Sequence, residues 1–542
     1  MPLKKNFLTD ILISILLLAA TLYYAARYVD FTIPPFEDAA MLMRYSQHLA
    51  GGHGIVWNIG EHPVDGATDF LFMVSAALLI KLGLTVGQAV RGIGFVSHIL
   101  TVLIVYWTNR RVHNGDIFLS LFSALYLVVG TGLSYVAAYF GTPFFALAAA
   151  STWTLGLLLA KQETPSFGLN LAFAFSGLIT GLIRPEGVIL ASLILLMVVI
   201  MRGWKNSMSI IVTFAIVFLL LGGSYFAWRW NYFGYPLPNP FYKKGDGGLY
   251  WGSYDTSLWN TLRLCLPFAI LALLGFRSRE TTRQAIAYLV PILGFASAFI
   301  LISDEMNFGA RFQYALVPIV LISWIPLLGG FNFSWLNQLP VRERIVHIVV
   351  LTALALSLVY YSWSRNCFVA EPQLTCSPVY GPDGRYEMGK LLSEYRGKGY
   401  TIVTTEAGLI PYYSGWTAVD AWGLNDQWIA HNGGITAEYL DQFKPEVIMF
   451  HAHFSPLIPP RATPADLAEP WFKMTYILLT YAESNGYQLA AVFGDSPYDT
   501  NYYYVRPDFE DSGQILRQIS RMKNYYWQST WNVSVNFANY QE

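Results

Sequence analysis

A polytopic α-helical membrane protein with a small α/β domain at its C-terminal end is the fold class this sequence predicts. Of its 542 residues, 54% are hydrophobic and only 13% are charged, about half the charged share of a soluble domain. Mean hydropathy is +0.39. Long apolar segments recur as far as residue 363 and then stop. The division expected is 1–363 for the membrane domain and 364–542 for the tail. Formal net charge is −1, with no basic block of the kind a nucleic-acid partner would require.

A membrane span needs about 20 apolar residues. Segments 7–29, 89–108, 116–138, 142–160, 168–183, 187–201, 208–228, 259–276, 284–303, 312–330 and 345–363 are the candidates. Lys4 and Lys5 precede the first, and no small-residue cleavage site is evident, so it reads as a retained span rather than a signal peptide. Segments 168–183 and 187–201 are short and flank Arg184-Pro185-Glu186-Gly187. Segment 69–84 reads either as a twelfth span or as an interfacial helix, and charge decides. With it interfacial and the N-terminus inside, the inner loops hold Lys4, Lys5, Arg110, Arg111, Lys161, Arg202, Lys205, Arg277, Arg279, Arg283, Arg342 and Arg344. The outer loops keep Arg44, Arg184, Arg229, Lys243, Lys244 and Arg311, with Lys81 and Arg91 at the interface. That asymmetry follows the positive-inside rule. Counting 69–84 as a span would put Arg110 and Arg111 outside. The prediction is about eleven spans, an interfacial helix in the outer loop 30–88, and an external tail.

In the tail, segments 399–405, 445–450, 487–493 and 501–505 read as short strands, and 388–395 and 437–443 as helices. Strands alternating with helices predict an α/β domain. Cys367 and Cys376 flank a short polar loop and can pair if it lies outside the cytoplasm, whereas Cys265 sits with apolar residues and reads as packing.

This topology gathers acids and bases from separated loops at one face: Glu37 and Asp38, Arg184 and Glu186, the loop NYFGYPLPNPFYKK (231–244), and DEMNFGARF (304–312). Each has a plain reading. An acid at the start of AAMLMRYSQHLA would cap a helix. Arg184 and Arg311 would snorkel or anchor at an interface, and Lys243 and Lys244 would solvate a loop. One acid suffices for a cap, however, and here there are two. The functional reading is a general base for an acceptor hydroxyl, with a partner that raises its pKa or holds the acceptor, and cations for a leaving phosphate. His451 and His453 share a strand face, but HxH lacks a third ligand and metal binding is set aside. No GxSxG, Walker A or HExxH sequence is present.

The stretch FEDAAMLMRYSQHLAGGHGIVWNIGEHPVDGATDFLF resembles the first outer loop of GT-C glycosyltransferases, closest to their arabinofuranosyltransferase-like branch. GLIRPEG (181–187), YFGYPLPNPFYKK (232–244), FGARFQYALVP (308–318) and EAGLIPYYSGWTAVDAWGLNDQWIAH (406–431) resemble further elements of that branch, in order. The sequence departs from the pattern at YFGTP (139–143), where relatives often carry an acid, and at Glu37, Asp65 and Ala67. The resemblance implies an inverting transferase of the bacterial plasma membrane, with site and tail on the outer side. It would use a polyprenyl-monophosphate sugar, an arabinofuranose-like pentose favoured, and a glycan, lipid or protein acceptor. Asp38 is expected as base with Glu37 in support, and Arg184, Lys243, Lys244 and Arg311 on the phosphate. Arg44, His53, Asn58, Asp65, Glu186, Asn239, Tyr242, Asp304, Glu406, Asp420 and Asp426 are expected near the substrates. No cofactor or metal is expected. A non-catalytic glycan-binding relative and a lipid-linked-sugar transporter are the rivals. A transporter should interrupt its helices with polar residues at the midplane, whereas these lie at helix ends.

Overall fold

The computed structural model describes residues 3–244, 249–272, 276, 279–303, 306–328, 340–346, 349, 356–357, 360, 384–456, 458, 469–496 and 498–522. Most of the expected span 345–363, Asp304, and the Cys367–Cys376 pair lie outside the described residues.

The apolar segments become helices α1 (Leu3–Tyr28), α4 (Val86–Arg111), α5 (Ile117–Val128), α6 (Gly132–Ala137), α7 (Thr142–Lys161), α8 (Phe167–Ile183), α9 (Gly187–Arg202), α10 (Trp204–Val217), α11 (Gly223–Phe233), α13 (Trp251–Ala272), α14 (Arg279–Ser297) and α15 (Leu316–Leu327). The outer loops add α2 (Glu37–Ala50), α3 (Phe70–Lys81) and α12 (Asn239–Lys244). Among the described residues, 6 helices are long and apolar enough to span, and α3, α8, α9 and α15 are shorter apolar helices. The 12 residues of α3 reach about 18 Å, well short of a hydrocarbon core of about 30 Å. The segment expected as one span at 116–138 is divided into α5 and α6 around Gly130, a poor helix former. Conversely, α10 and α11 join through a π turn at Phe218–Gly222 into a 30-residue helix, only 22% buried over its apolar window. Its apolar surface therefore faces away from the protein, as it would toward lipid.

α7 packs against α4, α8, α9 and α15. Its small buried residues Ala146, Ala149 and Ala150 let neighbours approach, and Trp153 fills the space between. The two ends of the bundle differ. At one, Asp10 of α1 takes Arg110 and Arg111 of α4 at 2.9 and 2.8 Å. At this end Arg202 binds the Leu159 carbonyl at 2.7 Å, Lys161 the Val112 carbonyl, and Arg283 the Ile200 carbonyl. The other end carries α2, α3 and the tail.

The tail sheet has order β2-β1-β3-β5-β4, from β1 (Thr401–Thr404), β2 (Thr417–Asp420), β3 (Val447–Ala452), β4 (Gln488–Ser496) and β5 (Asp499–Val505). β2, β1 and β3 are parallel, and β5 and β4 are antiparallel to their neighbours. Strand β2, four residues long, and the helix Pro470–Ser484 have no counterpart in the sequence reading. The chain is thus a multi-pass membrane protein with a small α/β tail.

Candidate active site

Pro34 and Pro35 precede α2, whose N-cap Phe36 has no side-chain acceptor to offer. Glu37 and Asp38 occupy its first turn, but neither caps its own helix. Successive helical residues diverge by about 100°, and these two carboxylates part accordingly. Glu37 Oε1 accepts the backbone N–H groups of Gly408 and Leu409 in the tail, at 2.5 and 3.0 Å. A Cβ on Gly408 would lie 1.9 Å from the Glu37 carbonyl oxygen, so only glycine allows this approach. Asp38 turns the other way, and its Oδ2 accepts from Arg311 Nη2 at 2.5 Å.

A second acid completes the cluster. Asp69, at the start of α3, accepts from Arg184 Nη1 at 2.8 Å, while Arg184 Nε reaches Glu186 at 2.6 Å. Burial pushes the Asp69 carboxyl upward in pKa against the pull of Arg184, and the charges of Glu186 and Asp38 push the same way as burial. Phe312 lies beside both guanidiniums, its ring centroid 4.8 Å from Arg184 and 5.1 Å from Arg311, and Phe140 lies 4.1 Å from Arg311 on another side. The Nε of Arg311 is buried with no hydrogen-bond partner among the described residues. Asp38, 26% exposed at its side chain, is the most open of these acids.

The backbone around Arg311 is strained: Met306 and Ala310 have φ of 62° and 60°, uncommon for residues with a Cβ. The Tyr135 hydroxyl donates to the Gly309 carbonyl at 2.6 Å and holds the turn. At Gly141, within YFGTP, a Cβ would meet Asp69 Oδ2 at 2.8 Å and the Phe72 ring at 2.9 Å, so the backbone there packs directly against the Asp69 carboxylate. Asp69 is not among the residues the sequence singles out. Its available signal was an acid placed directly before the apolar run of α3.

Most of the other expected residues lie on the seam between membrane domain and tail, with their side chains committed there. Buried Arg44 donates to the carbonyls of Trp57, Pro411 and Trp416 and to Asn58 Oδ1. Asn58 also pairs with both backbone groups of Ala418, each at 3.0 Å. Asn239 Nδ2 donates to the Gly423 carbonyl at 2.9 Å. Asp65 is paired with Arg229, and burial lifts its pKa to about 6. Asp420 accepts the N–H groups of Trp422, Gly423 and Asn425, and burial likewise lifts it to about 6. Asp426 caps the helix Gln427–His431 and accepts from Tyr439. Tyr242 packs 4.4 Å from the His431 ring. Lys243 Nζ lies 4.3 Å from the Trp422 ring centroid, and the Lys244 carbonyl accepts from Tyr250. His53 is exposed, 6.5 Å from the His48 ring.

Glu406 is buried in the tail between Arg385 Nη1, at 3.1 Å, and His451 Nδ1, at 3.3 Å. Arg385 also lies 3.9 Å from Glu37 Oε2. The other ring nitrogen of His451 meets Asp499. Burial opposes charge on His451, yet the two carboxylates prevail and lift its pKa to about 9. Among the described residues no group of three or more His, Cys, Asp or Glu side chains is arranged to hold a metal.

No curated protein sequence matches the chain. The family described as a domain of unknown function (DUF8728) matches residues 374–509, within the tail. Solved structures match nearly the whole chain. ArnT from Cupriavidus metallidurans, bound to undecaprenyl phosphate, has a TM-score of 0.59 at 13% identity, covering 93% of this chain and 99% of that one. The apo oligosaccharyltransferase of Archaeoglobus fulgidus has a TM-score of 0.51 at 10% identity, covering 92% and 75%. The arabinofuranosyltransferase AftD from Mycobacteria has a TM-score of 0.50 at 13% identity, covering 94% of this chain and 42% of that one. The chain has the GT-C fold.

Proposed function

We propose that the protein is an inverting membrane glycosyltransferase that moves a sugar from a polyprenyl monophosphate to an acceptor hydroxyl. The observation that carries this reading is the pairing of Asp38 with Arg311 beside Asp69 with Arg184, at the end of a bundle of this fold. The acceptor oxygen attacks the anomeric carbon and its proton passes to the Asp38 carboxylate. The bond from that carbon to the phosphate oxygen breaks with its electron pair, and one displacement inverts the centre. The leaving monophosphate gains charge where Arg311 and Arg184 stand, and Arg311 Nε is a buried donor with capacity for it. With two guanidiniums meeting that charge, the step calls for no metal.

The similarity to ArnT bound to undecaprenyl phosphate supports a polyprenyl-phosphate donor, and the motif resemblance favours an arabinofuranose-like pentose. The acceptor is an envelope glycan, lipid or protein. Basic residues at the opposite end of the bundle support placing that end in the cytoplasm and the site on the outer face of a bacterial plasma membrane.

The test is transfer from a panel of polyprenyl-phosphate sugars by the purified protein and by Asp38→Asn. Wild type should transfer at least one, and the variant should fold normally yet lose about 10²–10⁴-fold in rate. Near-normal transfer by Asp38→Asn would remove the base from the mechanism.

A further inference from the structure

Open α/β sheets have a crevice outside the carboxyl ends of their strands, and the acid and arginine cluster does not use that of the tail. In open α/β sheets ligands bind outside the carboxyl ends of the strands, where the strand order reverses. Here the chain leaves β1 for β2 on one side and returns to β3 on the other, so the reversal lies between β1 and β3. Glu406 and His451 meet at this point. Asp499, the first residue of β5, pairs with His451 and is 44% exposed. Trp471 donates its indole N–H to the His451 carbonyl at 3.0 Å and packs 5.0 Å from Trp422, which follows β2. Lys243 of the membrane domain stands over Trp422.

We propose that this crevice is a saccharide-binding subsite that takes the acceptor glycan, a reading that rests on the transferase function above. Trp422 and Trp471 are adjacent and partly exposed, and the surface that Lys243 and their mutual packing leave open offers apolar contact to the C–H faces of a sugar ring. Asp499 offers a carboxylate to hydroxyls. The local charges balance, Arg385, His451 and Lys243 against Glu406, Asp499 and Asp420, which suits a neutral polyol better than a polyanion. The position is right as well. Glu406 leads through Arg385 to Glu37 at the start of α2, so the crevice adjoins the helix that carries Asp38.

Saturation-transfer NMR on the full chain in lipid nanodiscs, with methyl glycosides of arabinofuranose, mannose and galactose as probes, tests this directly. At least one probe should bind. Trp422→Ala and Asp499→Asn should each weaken it about tenfold or more. Trp422→Phe, which keeps an aromatic face, should retain most of the binding, and Trp428→Ala, at an exposed indole outside the crevice, should change it less than about twofold. No binding by any probe, or binding that Trp422→Ala and Asp499→Asn leave unmoved, overturns the subsite. Because binding is read without turnover, failure of the transferase reading appears separately, as wild-type protein that binds a glycoside yet transfers from no donor.

Discussion

Two groups of buried charges lie at the same end of the bundle and differ in what they leave open. On the seam, Arg44 spends four hydrogen bonds on Trp57, Asn58, Pro411 and Trp416, and Asp420 accepts three backbone N–H groups. In the cluster around Asp38, Arg311 meets one carboxylate and Arg184 two, both beside aromatic rings, one Arg311 donor has no partner among the described residues, and Asp38 is partly open to solvent. The first arrangement holds two domains together. The second leaves a buried donor and a partly open carboxylate, the features the proposed transfer step draws on. Residue type and location do not separate the two groups, whereas hydrogen-bond saturation does.

The contrast is broken most decisively at the acids. Asp69→Asn, like Asp38→Asn, should lower transfer by about 10²-fold or more while leaving tail docking intact, because the amide still fits beside Gly141. A melting temperature that falls with the activity would instead place Asp69 with the seam. Arg44→Ala should do the opposite. Removing the guanidinium leaves buried carbonyls unpaired and should cost about 3–5 kcal/mol of stability, read as early unfolding or proteolysis of the tail. Arg44→Lys should rescue little, since one ammonium cannot reproduce a planar fork of donors. Full stability in Arg44→Ala would mean the seam is held elsewhere.

Glu37 sits between the two behaviours and sharpens the comparison. Glu37→Gln keeps an oxygen for the Gly408 and Leu409 amides but loses the charge facing Arg385. Its transfer rate should fall about tenfold, less than that of Asp38→Asn. A larger loss than Asp38→Asn shows would exchange the roles of the two acids.

The sequence made the bundle legible because about 20 apolar residues in a row have few other fates. It also made the end of the bundle legible, through loop charge. It could not show that adjacent Glu37 and Asp38 face different domains, since that depends on where the tail docks. Arg44, Asn58, Asp65, Asn239 and Asp420 read as substrate residues for the same reason: a polar side chain in an outer loop looks alike whether it meets a sugar or a carbonyl 360 residues away. Asp69 escaped notice because one acid before a helix ordinarily reads as a cap, and here its side chain makes no cap bond and reaches Arg184. Arg385 and His451 are brought to Glu406 only by the sheet register and the helix Arg385–Leu392.

The smallest expected effect is on the pH dependence of the tail. His451 titrates near 9 when folded and near about 6.5 when unfolded. A raised folded value means the stability is fully present below about pH 6.5 and is lost as pH rises through 9. Asp65 and Asp420, lifted to about 6, have finished titrating by then, and burial holds the phenols of Tyr487 and Tyr504 above their ordinary range. The window from pH 7 to 9 therefore reports chiefly on the imidazolium between Glu406 and Asp499. The melting temperature of the tail should decline by a few degrees across it, and His451→Gln should flatten the decline while lowering the value at pH 7. A wild-type melting temperature that stays level from pH 7 to 9 would show that His451 is neutral there, and the charge balance of the crevice would then have to be drawn without it.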